Sequence, residues 1–369
     1  MSMVAGGGAQ SFTNDSDLNA TTAAINGMMS FYNTTDGRWN TEAPWWQSGI
    51  AVQTLVDFMQ LTGSEEYLPQ IYHTINIQSA PLPWWPEGGG NFRADSTDDT
   101  GWWALAMTSM FELTGNVTYL KIATEDEAYM YSYWSSTPCS GGIVWDIPSR
   151  TYYNAISNEL YLELTATLHN LLQGDTLYLN RSLQEWEWFK NSGMINSASL
   201  VNDGLMDGGN NNTCVNNDGT TWTYNQGVIL GGLVQLYKAT GDFTYLDTAK
   251  AIADAVIASA ELAPGGILTE PCGSVEECEI NGFAFKGIFM QRLQKLDAVL
   301  PDRPYSGFIL QNARSAYGMD RAATSGLAFY GRLWQGPYDE ASIARQESVV
   351  QLFVAALKSG VGLEDLFPH

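Results

Sequence analysis

Two adjacent carboxylates are the residues best suited to chemistry in this chain. Asp98 and Asp99 stand in the run Asp95-Ser96-Thr97-Asp98-Asp99-Thr100-Gly101-Trp102-Trp103, just ahead of a strongly helical stretch. Neighbouring Cα atoms lie about 3.8 Å apart, so diverging side chains can reach the roughly 5–5.5 Å carboxyl spacing of a retaining glycosidase. Like charges that close do not both stay ionised easily. One pKa is driven up towards an acid's role, while a helix N-terminus favours keeping the other charged. The same residues are also ordinary helix caps, because Asp, Ser and Thr ahead of a helix accept its free N–H groups. Local sequence leaves both readings open.

Aromatic residues gather around the pair. Trp39, Trp45, Trp46, Trp84, Trp85, Trp102, Trp103, Trp145 and Tyr224 all fall in or beside expected loops. Aromatic rings stack on the apolar faces of sugars and offer polar edges for hydrogen bonds, but they also fill cores. About half of this set is expected in the core. Other chemistries find little support. The three histidines, His73, His169 and His369, have no metal-ligand spacing, and the four cysteines show no zinc pairing. There is no phosphate-binding glycine loop and no nucleophile elbow. Asp203-Gly204-Leu205-Met206-Asp207-Gly208-Gly209-Asn210 has the flavour of a calcium loop without EF-hand spacing, and reads as a plain loop. Neither a metal nor a cofactor is expected.

Composition narrows the partners. A net charge of −23 with no Lys/Arg cluster repels phosphate backbones and anionic membranes, whereas a neutral glycan feels no such field. The longest apolar run, near Val349–Leu357, is too short to span a bilayer. Sequons begin at Asn14, Asn19, Asn33, Asn116, Asn180 and Asn211. With an even set of cysteines they favour a secreted glycoprotein over a cytosolic chain with free thiols. From their order, Cys272 is expected to pair with Cys278 across a short loop, and Cys139 with Cys214 across two long ones. Met1–Gln10 lacks the apolar core of a signal peptide and reads as a processed or engineered start; Leu366–His369 carries no hydrophobic anchor signal.

A recurring heptapeptide sets the elements that must position these groups. It reads Thr62-Gly63-Ser64-Glu65-Glu66-Tyr67-Leu68 and returns as Thr114–Leu120 and Thr240–Leu246; Gln173–Leu179 lacks only the leading Thr. Glycine supplies the left-handed residue that ends one helix, and Ser, Asn or Asp caps the next. Helical apolar stripes lie upstream, such as Trp103, Ala106, Met110 and Leu113, or Leu230, Leu233, Val234 and Tyr237. Further helices are expected around Phe283–Leu296 and Ala341–Leu357, each with room for a partner. About six αα-hairpins result. They can close into an all-α toroid whose inner helices present their N-terminal loops to one cavity, and the long Trp- and Gly-rich return loops favour this over an open solenoid. No composition break divides residues 1–369, so one domain is expected, with 1–18 poorly ordered.

Six segments then resemble glycoside hydrolase family 76, the endo-α-1,6-mannanases, and especially its fungal branch. They are Trp45-Trp46-Gln47, Asp98-Asp99-Thr100-Gly101-Trp102-Trp103, Gly141-Gly142-Ile143-Val144-Trp145, Asn154-Ala155 with Ser157-Asn158, Thr223-Tyr224-Asn225-Gln226-Gly227 and Phe285-Lys286-Gly287-Ile288-Phe289. The resemblance implies an (α/α)6 barrel and a retaining mechanism, with Asp98 as nucleophile and Asp99 as acid/base. It also implies substrate contacts from Trp45, Trp46, Trp102, Trp103, Trp145, Asn154, Asn158, Tyr224, Asn225, Gln226, Phe285 and Lys286. One departure falls after the last cysteine, where the family often has a run of Asp and this chain has Cys278-Glu279-Ile280-Asn281-Gly282. The activity implied is endo-hydrolysis of α-1,6-mannan by a monomer outside the cell or in the cell wall. Transfer to a sugar acceptor, on α-mannan or the GPI-core mannose chain, is the alternative within that chemistry. A catalytically silent mannan-binding toroid is the alternative outside it.

Overall fold

The turns of the heptapeptide form as their residues dictate in the computed structural model, which describes residues 15–209, 213–272 and 275–360. Helices α2 (Trp45–Thr62), α4 (Thr97–Thr114) and α8 (Thr223–Thr240) end on Gly63, Gly115 and Gly241, at φ of 71°, 70° and 73°. Only glycine takes that conformation without steric cost. The next polar residue starts the following helix. Ser64 accepts the Glu66 N–H at 3.1 Å ahead of α3 (Leu68–Gln78), and Asn116 accepts the Thr118 N–H at 3.0 Å in α5 (Val117–Tyr131). Asp242 does the same for Thr244 at 2.9 Å in α9 (Thr244–Ala258). In the fourth copy, between α6 (Ala155–Leu171) and α7 (Leu177–Asn191), Asp175 accepts the N–H groups of Leu177 and Tyr178.

A fifth pair is α10 (Val275–Val299) and α11 (Ser306–Met319). The sixth inner helix, α12 (Ile343–Ser359), takes its outer partner from the far end of the chain: α1 (Asp15–Met29) packs on it. The ring is therefore closed by the two ends of the sequence meeting, and not by a sixth local hairpin as expected. Each even-numbered helix packs on the next, and α12 packs back on α2, so six inner helices complete an α/α barrel. Inner helices are buried nearly all round; α12 buries every residue from Ile343 to Leu357. Outer α9 buries only Leu246, Ala249, Ile252, Ala253 and Val256, the spacing of a one-faced helix. Two boundaries differ from expectation. Residues Asp15–Leu18, expected to be poorly ordered, are helical, and residues 1–14 lie outside the described residues. Helix α10 starts two turns before Phe283.

The return loops carry three small antiparallel hairpins that hydrophobic periodicity did not reveal: β1 (Tyr32–Asn33) with β2 (Arg38–Trp39), β3 (Leu205–Asp207) with β4 (Cys214–Asn216), and β5 (Arg321–Thr324) with β6 (Leu327–Tyr330). Cys139 is bonded to Cys214 and Cys272 to Cys278, the pairing read from chain order. Asn19, Asn116 and Asn180 are exposed and Asn33 is half-buried, while Asn14 and Asn211 fall outside the described residues. Among the described residues no helix is long and apolar enough to cross a membrane.

Glycines at the helix seams let the inner ring close this tightly. A Cβ on Gly227 of α8 would sit 2.6 Å from Phe289 Cα in α10, and one on Gly287 of α10 would sit 2.5 Å from Ser348 Cα in α12. Both neighbours are backbone, which cannot step aside cheaply. Gly287→Ala is expected to destabilise the barrel by about 1–3 kcal/mol, the usual cost of overpacking. Thermal unfolding of this variant beside the parent protein checks it; an unchanged midpoint would show that the α10–α12 seam has slack.

Candidate active site

The first turn of α4 carries Asp98 and Asp99 into a cavity of about 430 Å³ where the return loops meet. The two carboxyls are not equivalent. Asp98 accepts the Trp145 indole N–H at 2.9 Å and is further stabilised as an anion by the Ser96 hydroxyl and by the backbone N–H groups of Asp98 and Asp99. Removal from water outweighs these donors and raises its pKa to about 6. Among the described residues Asp99 has no such donors. Burial comes first, then the charges of Asp98 and Asp95, and together they hold it well above the usual carboxylate range against a partial pull from Arg38. Of the two, Asp99 is the carboxyl whose surroundings favour the protonated form more.

The indole is aimed by the loop ahead of α6. Gly141 (φ 154°) and Gly142 (φ 90°) lie flat against the Trp188 ring, where any Cβ would come within 2.3 and 2.4 Å. Buried Asn158 then grips the next residue, accepting the Ile143 N–H at 2.7 Å and donating to the Ile143 carbonyl at 3.0 Å. Thr97 finishes the stitching, with its hydroxyl on the Val144 carbonyl at 2.8 Å and its N–H on the Trp145 carbonyl at 3.0 Å. The helix of Asp98 and its indole donor are thus one hydrogen-bonded assembly.

Aromatic rings form much of the remaining wall. Trp46 stacks on Trp102 with centroids 5.5 Å apart, and Tyr224 stacks on Phe285 at 3.8 Å and 8°. Beneath Trp102 lies the Arg292 guanidinium, which pairs with buried Glu163 at 3.3 Å. Trp46 Nε1 donates to Asn281 Oδ1 at 3.1 Å, so the segment that departs from the family's Asp run reaches the cavity. Pro44, Ser96, Tyr152, Asn154 and Asp203 complete the lining. A hollow of about 490 Å³ beside Trp188 and the Cys139–Cys214 bridge is slightly larger, but neither Asp98 nor Asp99 reaches it.

The model of Glycosyl hydrolase family 76 matches residues 17–360. The chain belongs to glycosyl hydrolase family 76. A putative mannan endo-1,6-alpha-mannosidase of Schizosaccharomyces pombe is 25% identical over 366 residues, covering 94% of this chain and 80% of that relative. An α-1,6-mannanase of Salegentibacter sp. HEL1_6, solved with α-1,6-mannotriose, superposes with a TM-score of 0.80 at 24% identity, covering 92% of this chain and 98% of the other. That structure is of an inactive variant in which two consecutive aspartates are replaced. Dfg5 from Chaetomium thermophilum, in complex with glucosamine, superposes at 0.79 with 20% identity, covering 95% and 92%.

In this family 76 hydrolase the residues expected to contact substrate divide into two groups. Trp46, Trp102, Trp145, Asn154, Tyr224 and Phe285 share the cavity with Asp98 and Asp99. Trp103 is fully buried against Phe92 at 4.5 Å, and Trp45 packs beside it with its indole N–H on Gln78. Asn158 and Gln226 are buried loop holders; Gln226 accepts the Val201 N–H and donates to the Val201 carbonyl, both at 2.7 Å. Asn225 is buried behind the wall, outside the lining. Lys286 is only 3% exposed, donates to the Arg332 carbonyl at 2.7 Å and lies over the Trp334 ring. Burial lowers its pKa to about 8 despite Asp320 and Glu270 nearby. Asp203, Tyr152 and Asn281 were not among the expected contacts; the calcium-loop flavour of Asp203–Asn210 singled out the first, the departure at Cys278–Gly282 the last, and nothing singled out Tyr152.

Two outcomes follow from this division. A donor to the charged form lowers a carboxyl's pKa, so removing it raises that pKa. Trp145→Phe is expected to move the acidic limb of the kcat/KM profile up by ~1 pH unit, from the usual worth of a hydrogen bond to a charged group. A limb that stays in place would show the indole does not tune Asp98. Lys286→Met should lower stability by ~1–3 kcal/mol through the lost buried hydrogen bond, while KM stays within about twofold. A large rise in KM without loss of stability would return Lys286 to the substrate.

Proposed function

We propose that this family 76 hydrolase is a retaining endo-α-1,6-mannanase, with Asp98 as nucleophile and Asp99 as acid/base. The asymmetry of the pair carries the reading: one carboxyl is held by four donors as an anion, and the other is held protonated by burial and its neighbour's charge. In the first step the Asp98 carboxylate attacks the anomeric carbon, the glycosidic bond breaks, and Asp99 gives its proton to the departing oxygen. In the second step Asp99, now ionised, takes a proton from water as its oxygen attacks the same carbon and releases Asp98. The α-1,6-mannan specificity is supported by the named relatives and by the stacked aromatic wall. Two disulfides fit work in an oxidising setting outside the cell or in its wall. Action as a monomer on a neutral glycan, away from nucleic acid and membranes, fits the charge of −23.

The same wall supports a second ending. Trp46, Trp102 and Phe285 can hold an acceptor sugar, whose hydroxyl would then replace water in the second step. Linear α-1,6-mannan with and without a mannosyl acceptor separates the two. Shorter products in both cases mean hydrolysis, products lengthened by acceptor mean transfer, and intact polymer overturns the substrate assignment. The carboxylate roles have their own check. Asp98→Ala and Asp99→Ala should both fold, since a lost helix-cap carboxylate costs about 0.5–2 kcal/mol. With an activated leaving group, azide should rescue Asp99→Ala and give the α-mannosyl azide, whereas in Asp98→Ala direct attack should give the β-azide. Reversed anomers would exchange the roles, and near-parental activity in either variant would leave it a helix cap.

A further inference from the structure

A third carboxylate faces the cavity and has no part in the two-step chemistry. Asp203 lines it together with Asp98 and Asp99. Its backbone is fixed on both sides: the Ala155 N–H donates to the Asp203 carbonyl at 2.8 Å, Leu205 N–H to the Tyr153 carbonyl at 2.9 Å, and Gln226 grips Val201 two residues earlier. Its side chain accepts the Tyr152 hydroxyl and the Trp222 indole N–H. Tyr152 is itself oriented by the Asn217 amide at 3.0 Å, and Gly204 makes room for it, since a Cβ there would stand 2.7 Å from the Tyr152 hydroxyl. Among the described residues no Lys or Arg forms an ion pair with Asp203. A half-buried carboxyl, held rigidly and with no ion-pair partner among the described residues, thus looks into the cavity.

A carboxylate offers about four acceptor sites, and Tyr152 and Trp222 occupy two. What remains suits two O–H donors on neighbouring carbons. In an α-1,6-linked mannose chain C1 and C6 are spent on linkages, so each backbone unit has free hydroxyls only at C2, C3 and C4. Every vicinal pair includes O3. We propose that Asp203 is a specificity-determining residue that accepts O3 and one adjacent hydroxyl of a single mannosyl unit, and so excludes units substituted there. This rests on the α-1,6-mannan reading above. A site built around hydroxyl donors rejects ligands lacking them strongly, because its buried acceptor is left unpaired.

The test is a ligand-by-variant cycle by calorimetry in the Asp98→Asn background, which binds without turnover. Probes are α-1,6-mannotriose and a set of mannotrioses each lacking one O3. One of the set is expected to bind about 10–100-fold more weakly than the parent trisaccharide, the range for a hydrogen bond to a charged group. Adding Asp203→Asn should weaken the parent by a similar factor and bring the two ligands to within about threefold of each other. A loop merely loosened by the substitution would weaken both alike and keep their ratio, and that result overturns the proposal. So does an Asp203→Asn variant that binds mannotriose like its background. If the Asp98→Asn protein ignores mannotriose and the parent enzyme leaves linear α-1,6-mannan intact, the substrate reading fails and this assignment with it.

Discussion

The cavity depends on one repeated contact, a polar side chain one turn inside an inner helix that grips the backbone of a return loop. Ser48 in α2 accepts the Trp39 N–H at 3.3 Å, and Thr100 in α4 accepts the Ala94 N–H at 3.0 Å. Asn158 in α6 and Gln226 in α8 each bind both backbone groups of one loop residue. Gln346 in α12 accepts the Tyr330 N–H at 3.1 Å and donates to the Ala328 carbonyl at 2.9 Å. All five are the fourth residue of their helices and hold the loop leading into them. Lys286 takes the same place in α10, counted from Phe283, but reaches Arg332 in the loop ahead of α12. A loop folded back over a barrel mouth has backbone groups that neither helix nor sheet satisfies, and leaving one buried and unpaired costs about 1–3 kcal/mol. The fourth-residue side chain meets that need at the height where the cavity must form.

The next residue solves a different problem. Ser48, Thr100, Gln226 and Lys286 are each followed by a glycine, and Gly49, Gly101, Gly227 and Gly287 each face the neighbouring inner helix at close range. Successive helical residues point about 100° apart, so one addresses the loop and the next addresses the seam. The glycine is missing after Asn158 and Gln346; beside Asn158 the α6–α8 seam is relieved lower down by Gly231, against Glu163, and Gly232, against Leu162. Loop height and ring diameter are therefore set by adjacent positions of the same turn, which couples cavity shape to barrel packing.

This pairing explains what could be read from the chain and what could not. Left-handed glycines and their capping partners are local, so Gly63, Gly115 and Gly241 announced the hairpins without any tertiary information. The closing partner of α12 was hidden because α1 lies more than 300 residues away and carries no copy of the turn. Asn158, Gln226 and Lys286 were expected as substrate contacts from the family resemblance, and a polar residue at the head of an inner helix suits either task. Which way the side chain faces is fixed by helix phase against a loop far away in sequence. Asp203 was obscured for the converse reason: its surroundings read as a loop, and bonds to distant helix heads, Ala155 N–H on its own carbonyl and Gln226 on Val201, bring it to the cavity of Asp98.

The helix-cap and catalytic readings of Asp98 and Asp99 also turn out to share one physical basis. Asp98 does what an N-terminal aspartate does, accepting backbone N–H groups of its own first turn, and this is part of what stabilises its charge. Asp99, one residue on, lacks those donors and shares the same cover from water, so its neighbour's charge acts on it with only a partial pull from Arg38 against it. A helix start therefore sets two identical side chains apart, one with donors to its charged form and one without. Trp145 sharpens the difference from outside the helix, and the loop that carries it is held by Asn158 one turn inside the next one. Capping is here part of what makes the two carboxyls unequal, so a sequence rule that treats cap and chemistry as alternatives divides a single interaction in half.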